Sequence, residues 1–192
     1  MASEQLPVSR DVIEAALQCA AAARKANVRY ALIGGLAAGF RTTPRFTRDA
    51  DFLLHIPQLQ LPALLDDLAA HEFACDPTTT IREWTREHMT TLSFRGVRID
   101  WLKPVIPLYQ HVLDRATEET WLGPPIRVAS AEGLILLKLL AYRPQDVVDI
   151  ENLVAAHRDA LDLAWIQSEW ATVAAADDPR MRRLRELAAG RG

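Results

Sequence analysis

The stretch YALIGGLAAGFRTTPRFTRDADFLLH, residues 30–55, decides the fold. Tyr30, Ala31, Leu32 and Ile33 form a short apolar strand that stops at Gly34 and Gly35, after which Leu36 to Phe40 read as a helix start. Arg41 to Thr47 is polar, contains Pro44 and reads as a loop, and Arg48 to His55 reads as a second strand. Strand side chains alternate, so Asp49, Asp51 and Leu53 share one face. Two acids on one face of a strand that runs on into Phe52, Leu53 and Leu54 require a reason.

Upstream, Ser9 is an N-cap for a helix to about Ala26, with Val12, Ala15, Ala16, Cys19 and Ala23 on one stripe. Downstream, Pro57 introduces a helix through about His71, and Thr80 to His88 reads as a short helix. Thr90 to Phe94 and Val97 to Leu102 are strands joined through Arg95 and Gly96, which suits a tight hairpin. In the second of these Val97, Ile99 and Trp101 face one way and Asp100 the other. Residues 106–116 read as helical, TWLGPPIRVAS as a turn and a short strand, and Ser130 as the cap of a helix from Ala131 to Tyr142. From Pro144 onward the pattern is all helical, to about Ala160, then Leu161 to Ala175 and Pro179 to Ala189. Strands with flanking helices followed by a run of helices predict an α+β fold: a mixed β-sheet core over residues 1–129 and a C-terminal helical region, 130–192, packed on it.

At 192 residues and 21.4 kDa, the chain has room for one compact domain with a small helical appendage. Apolar residues at 49% and charged residues at 24% exclude a disordered or fibrous class. The net charge of -3 and pI near 6.0 provide no bulk attraction to nucleic acid, though a local basic patch stays open. Cys19 and Cys75 have no disulfide or zinc spacing, which favours a reduced, cytoplasmic setting. The first residues, MASEQLPVSRDVIEAAL, lack the pattern of a signal peptide, and no apolar run reaches the length of a membrane span.

Two carboxylates two residues apart on a strand repel one another unless a cation lies between them, and a hard divalent ion such as Mg2+ accepts an all-oxygen donor set while keeping positions open for phosphate. Asp100, an acid on an otherwise apolar strand, can reach the same surface as a third carboxylate, serving as a second-metal ligand or as general base. Gly34 and Gly35 allow backbone N–H groups to approach a phosphate where a helix begins. Arg41, Arg45 and Arg48 line the loop before the acids and suit a triphosphate or an RNA backbone, Arg45 above all. Plainer readings stand beside these: an edge strand with solvent-facing acids, a glycine pair that only turns the chain, a Lys138 that snorkels, and a surface charge stripe at Arg143, Asp146 and Asp149. The five histidines have no ligand spacing, and the tryptophans read as core, with Trp84 the one candidate for base stacking.

A glycine pair, a loop, Asp-x-Asp followed by apolar residues and a later strand Asp resemble the nucleotidyltransferase superfamily with the polymerase-β-type fold, over about Tyr30 to Leu102. The segment VASAEGLILLKLLAYRPQDVVDIENL is similar to that of AbiEii-type nucleotidyltransferases. The resemblance implies that Asp49, Asp51 and Asp100 hold metal and carry catalysis, that Gly34, Gly35, Arg45, Thr47, Lys138 and Asp146 serve nucleotide binding, and that Asp146 or Asp149 supports the site. It also implies transfer of NMP from an NTP to a hydroxyl of tRNA, protein or a small molecule, and a toxin–antitoxin setting with a cognate antitoxin or regulator. An inactive nucleotide-binding partner of the same fold is the alternative. Many superfamily members carry Gly-Ser at the turn, whereas this chain has Gly-Gly, so no serine hydroxyl is there for phosphate.

Overall fold

A computed structural model of the protein describes residues 8–120, 123–175 and 177–190. The turn expected through Trp121 and Leu122 and the first seven residues of the N-terminal reading lie outside the described residues. A seven-stranded mixed sheet has the order β3-β4-β5-β2-β1-β7-β6, with β1 Arg29–Ile33, β2 Asp49–His55, β3 Phe73–Ala74, β4 Met89–Phe94, β5 Val97–Leu102, β6 Thr117–Glu119 and β7 Ile126–Val128. β2 runs parallel to β5, and β1 runs parallel to β7, while the remaining pairs are antiparallel. The edge strands β3 and β6 were not expected: at two and three residues they are too short to show a periodic pattern.

One face of the sheet is covered by α1 Arg10–Lys25 and α3 Leu61–Ala69. Ser9 caps α1, accepting from the Asp11 N–H at 3.2 Å, as its sequence predicts. The small residues Ala15, Ala16, Cys19, Ala20 and Ala23 are buried along α1 and let it lie close to the sheet. Trp101 on β5 donates to the Cys19 Sγ at 3.3 Å, and burial pushes the Cys19 thiol up to about 12, so it stays an inert core group. Trp84, on α4 Pro77–Arg86, is 0% exposed and packs edge-on against Trp101 at 6.1 Å between centroids, which rules it out as a base-stacking platform.

The other face carries the acids and is covered by α2 Gly34–Arg41, α5 Pro107–Asp114 and α6 Ala131–Ala141, followed by α7 Pro144–His157, α8 Leu163–Trp170 and α9 Pro179–Ala188. The β4–β5 hairpin turns through Arg95 and Gly96 with φ of 46° and 83°, the mirror-image turn that matches strand twist. The helix after β1 begins at Gly34 itself, without an intervening turn. One buried cluster runs from Val8 to Leu184 and joins sheet and C-terminal helices in a continuous core. Among the described residues no helix is long and apolar enough to cross a membrane.

Candidate active site

Registration of the central strands puts the acids in one row. Asp51 pairs with Ile33 of β1 on one side and with Asp100 of β5 on the other, and Asp100 in turn pairs with Thr91 of β4. Paired residues project to the same side of a sheet, so Thr91, Asp100, Asp51 and Ile33 form a line across four strands. One step along, Asp49 pairs with Arg98. The row opens into a cavity of about 920 Å3 whose floor includes Asp49, Asp51 and Asp100 and whose far wall includes Lys138, Arg143 and the apolar Leu134 and Leu137 of α6.

The three carboxylates have different surroundings. Thr47 donates its hydroxyl to Asp49 Oδ1 at 2.8 Å. Asp100 Oδ1 accepts from Thr91 Oγ1 at 2.6 Å and from Arg98 Nε at 2.9 Å. No hydrogen bond or ion pair reaches the Asp51 carboxylate among the described residues. Burial, then the charges of Asp49 and Asp100, push Asp51 up to about 7, against the partial relief of Lys138 and Arg143. Among the described residues no group of three His, Cys, Asp or Glu side chains is drawn together closely enough to hold one metal ion as it stands. The acids share a cavity while Thr47, and Thr91 with Arg98, hold the outer two. An all-oxygen donor set around a half-buried carboxylate that no ion pair reaches among the described residues suits a hard divalent cation.

Glycine is needed at both positions that open α2. Gly34 has φ +69°, and a Cβ there would lie 1.9 Å from Asp51 Oδ2, so any side chain would collide with the acid. At Gly35 a Cβ would come within 2.9 Å of Arg45 Nη2 and 3.2 Å of Thr47 Oγ1. The guanidinium and the threonine hydroxyl thus crowd the space beside Gly35 that a serine side chain would enter. No side chain caps α2, which leaves its first N–H groups free for an anion.

A second charged network lies across the cavity. Arg45 grips Asp149 with both prongs, Nε to Oδ1 and Nη2 to Oδ2, each at 2.9 Å. Lys138 Nζ donates to Asp149 Oδ2 at 2.5 Å and to Asp146 Oδ1 at 3.4 Å. Asp146 Oδ2 accepts from the Arg143 N–H at 3.0 Å and from Arg143 Nε at 2.8 Å, closing the start of α7. The corner that makes this possible is Tyr142, left-handed at φ 47°, followed by an extended Arg143 that Pro144 requires. Lys138, Asp146 and Asp149 are buried, at 6%, 2% and 2% exposure. Burial raises the two carboxylates' pKa, but hydrogen bonds from Arg143 to Asp146 and from Arg45 and Lys138 to Asp149 outweigh it, so both stay below the ordinary range.

Gly34, Gly35, Arg45, Thr47, Asp49, Asp51, Asp100, Lys138 and Asp146 all line the same cavity. Lys138 is neither a snorkelling lysine nor a free one, and Asp146 and Asp149 are not a surface stripe. Asp146 has its oxygens engaged by cations and braces Lys138 and Arg143. Arg41 does not join the cavity: it donates to Ala129 O at 2.9 Å, Val128 O at 3.1 Å and Thr117 Oγ1 at 2.7 Å and pairs with Glu119 at 2.5 Å, tying α2 to β6 and β7. Arg48 lies over the exposed Phe46 ring, 5.4 Å from its centroid. Lining residues that the sequence pattern did not single out include Tyr109 on α5, Gln145, which donates to Asp149 Oδ1 at 3.2 Å, and Arg98, whose place two residues before Asp100 on a strand already put it on the acid face.

The family model described as "Nucleotidyl transferase AbiEii toxin, Type IV TA system" matches residues 15–191. No curated protein matches the chain. Among solved structures, an antigenic nucleotidyltransferase-like protein from Paracoccidioides brasiliensis is similar at 17% identity, over 94% of this chain and 93% of that one, with a TM-score of 0.51. ANT(2")-Ia, solved in complex with adenylyl-2"-tobramycin, is similar at 14% identity, over 83% of this chain and 95% of that one, with a TM-score of 0.54. At these identities the two structures establish a shared fold.

Proposed function

The chain belongs to the AbiEii nucleotidyltransferase family, and from that premise we propose that it transfers a nucleoside monophosphate from an NTP to a hydroxyl acceptor, with Mg2+ and release of pyrophosphate. The observation that carries this reading is Asp51: a half-buried carboxylate with no ion pair among the described residues, set between two other acids and against the first residue of an uncapped helix. Asp49, Asp51 and Asp100 would hold the divalent cation, which would neutralise them and supply Lewis-acid polarisation of the phosphates and of the attacking hydroxyl.

The protein's own groups do the rest. The free N–H groups of Gly34 and Gly35 bind phosphate oxygens. Thr47 orients Asp49. Lys138 and Arg45, fixed by Asp149, give the opposite wall its positive charge for the triphosphate. Asp100 keeps one oxygen on Thr91 and turns the other to the acceptor, whose proton it takes as the hydroxyl oxygen bonds to the α-phosphorus and the bond to the leaving pyrophosphate breaks. The acids and glycines come from residues 1–129 and Lys138, Arg143 and Asp149 from 130–192, the division we propose between a catalytic core and a helical part that completes its wall.

The acceptor is a hydroxyl of tRNA, protein or a small molecule, and the family's toxin–antitoxin description supports a cognate antitoxin or regulator as partner and a cytoplasmic setting. The test is incubation of the protein with labelled NTPs, Mg2+ and total RNA or cell extract. Asp49→Asn and Asp51→Asn should each lower label transfer by about a thousandfold, on the order of 4 kcal/mol of transition-state stabilisation. Transfer that survives both substitutions would overturn the mechanism, and tight NTP binding without any transfer would point to a nucleotide-binding partner instead.

A further inference from the structure

Arg98 is a cation inside the acid cluster that the reaction as described does not use. It stands opposite Asp49 in the β2–β5 register and two residues from Asp100 on the same face of β5, and its Nε bonds Asp100 Oδ1 at 2.9 Å. Its side chain is 60% exposed, against 20% for Asp100, so the guanidinium has solvent to move into while the carboxylate does not. Thr91 holds the same Asp100 oxygen at 2.6 Å from the neighbouring strand, so Asp100 would keep its orientation without Arg98. The fork faces the acids because no other cation stands on their strands: across the cavity Lys138 and Arg45 are already committed to Asp149.

We propose that Arg98 is the resident counter-ion of the acid cluster, pairing with Asp100 while no metal is bound and giving up that carboxylate when a divalent cation enters. The inference rests on the reading of Asp49, Asp51 and Asp100 as a cation site. A divalent cation held by Asp100 would draw on the same carboxylate charge and repel the guanidinium beside it, so cation entry disfavours the Arg98–Asp100 pair. The pair therefore weakens the grip on free metal and favours loading of metal that arrives with the phosphates of a nucleotide, whose negative charge offsets the displaced guanidinium. Arg98 acts through Asp100 and is a positioning residue, distinct from the groups that touch substrate.

The probe is Mn2+ without nucleotide, with free metal counted by electron paramagnetic resonance, on wild type, Arg98→Met, Arg98→Lys and the double variant carrying Arg98→Met and Asp51→Asn. Arg98→Met should bind Mn2+ about tenfold more tightly than wild type, the scale of one unit charge removed beside a partly screened site. Arg98→Lys, which keeps the charge without the planar fork, should fall between them. Equal Mn2+ affinity in wild type and Arg98→Met overturns the counter-ion role while leaving the cation site standing. Mn2+ binding that the double variant retains in full, or no binding in any of the four proteins, overturns the cation site itself.

Discussion

Two charged clusters face each other across one cavity, and they solve the problem of buried charge in opposite ways. On the sheet side three carboxylates stand with a single arginine, and the central one, Asp51, has no hydrogen-bond or ion-pair partner among the described residues. On the helix side Arg45, Lys138 and Arg143 surround Asp146 and Asp149, and every buried carboxylate there is bonded by cations. A cluster of satisfied charges secures the native state. A cluster of unsatisfied like charges opposes it until something else binds. The contrast separates the part of the site whose charges are already balanced from the part whose carboxylates call for a cation.

The sharpest way to break that contrast is to remove the hub of the satisfied side. Lys138→Met takes the shared cation from two buried carboxylates, leaving Asp149 to Arg45 and Asp146 to Arg143, and should destabilise the protein by about 3–5 kcal/mol, lowering the melting temperature by roughly 6–20 °C. Thermal denaturation with EDTA present checks it. On the glycine between the clusters, Gly34→Ala should lower stability by about 2–3 kcal/mol, because it adds a left-handed alanine to a displaced Asp51, measurable by urea titration.

On the unsatisfied side the sign reverses. Asp51 titrates near 7 in the folded protein and near the ordinary carboxylate value when unfolded, so its favourable contribution is complete only at acid pH and is lost as pH rises through 7. Asp51→Asn removes that loss. The variant should be more stable than wild type by about 2 kcal/mol at pH 8 in EDTA, with the difference closing between pH 7 and pH 4. Asp146 and Asp149 behave in the opposite sense: their depressed values contribute stability above the ordinary carboxylate range, lost as pH falls below it. The smallest effect belongs to Gly35→Ala, whose Cβ meets the end of the flexible Arg45 side chain most closely and the Thr47 hydroxyl less so. Stability should change by less than about 1 kcal/mol while NTP affinity, by calorimetry, falls a few-fold as Arg45 is pushed aside.

Much of this site was legible before the fold was known, and the reasons are local. Asp49 and Asp51 share a face because strand side chains alternate, and Gly34 and Gly35 mark a strand-to-helix passage because nothing else there is so permissive. The same rule applied to Arg98 and Asp100 would have found the fourth charge of the cluster. The acids drew the reading and the arginine beside them did not. Arg41 misled because its distance from the acids along the chain is short, yet the end of α2 points it toward β6 and β7. Trp84 misled because an amphipathic helix shows which residues are apolar but not how deeply they are set.

The sequence by itself determined the order of the longer elements, the shared face of the first two acids, the glycine passage and the caps at Ser9 and Ser130, since each depends on backbone periodicity or on a side chain bonding within a few residues. Tertiary structure alone decided that Asp100 stands beside Asp51, that Arg45 meets Asp149 across 104 residues of chain, and that Asp51 is the carboxylate left unpaired. Strand register and helix packing arise from the closure of the whole core, and the partner a charge receives is settled only when distant segments compete for the same small volume.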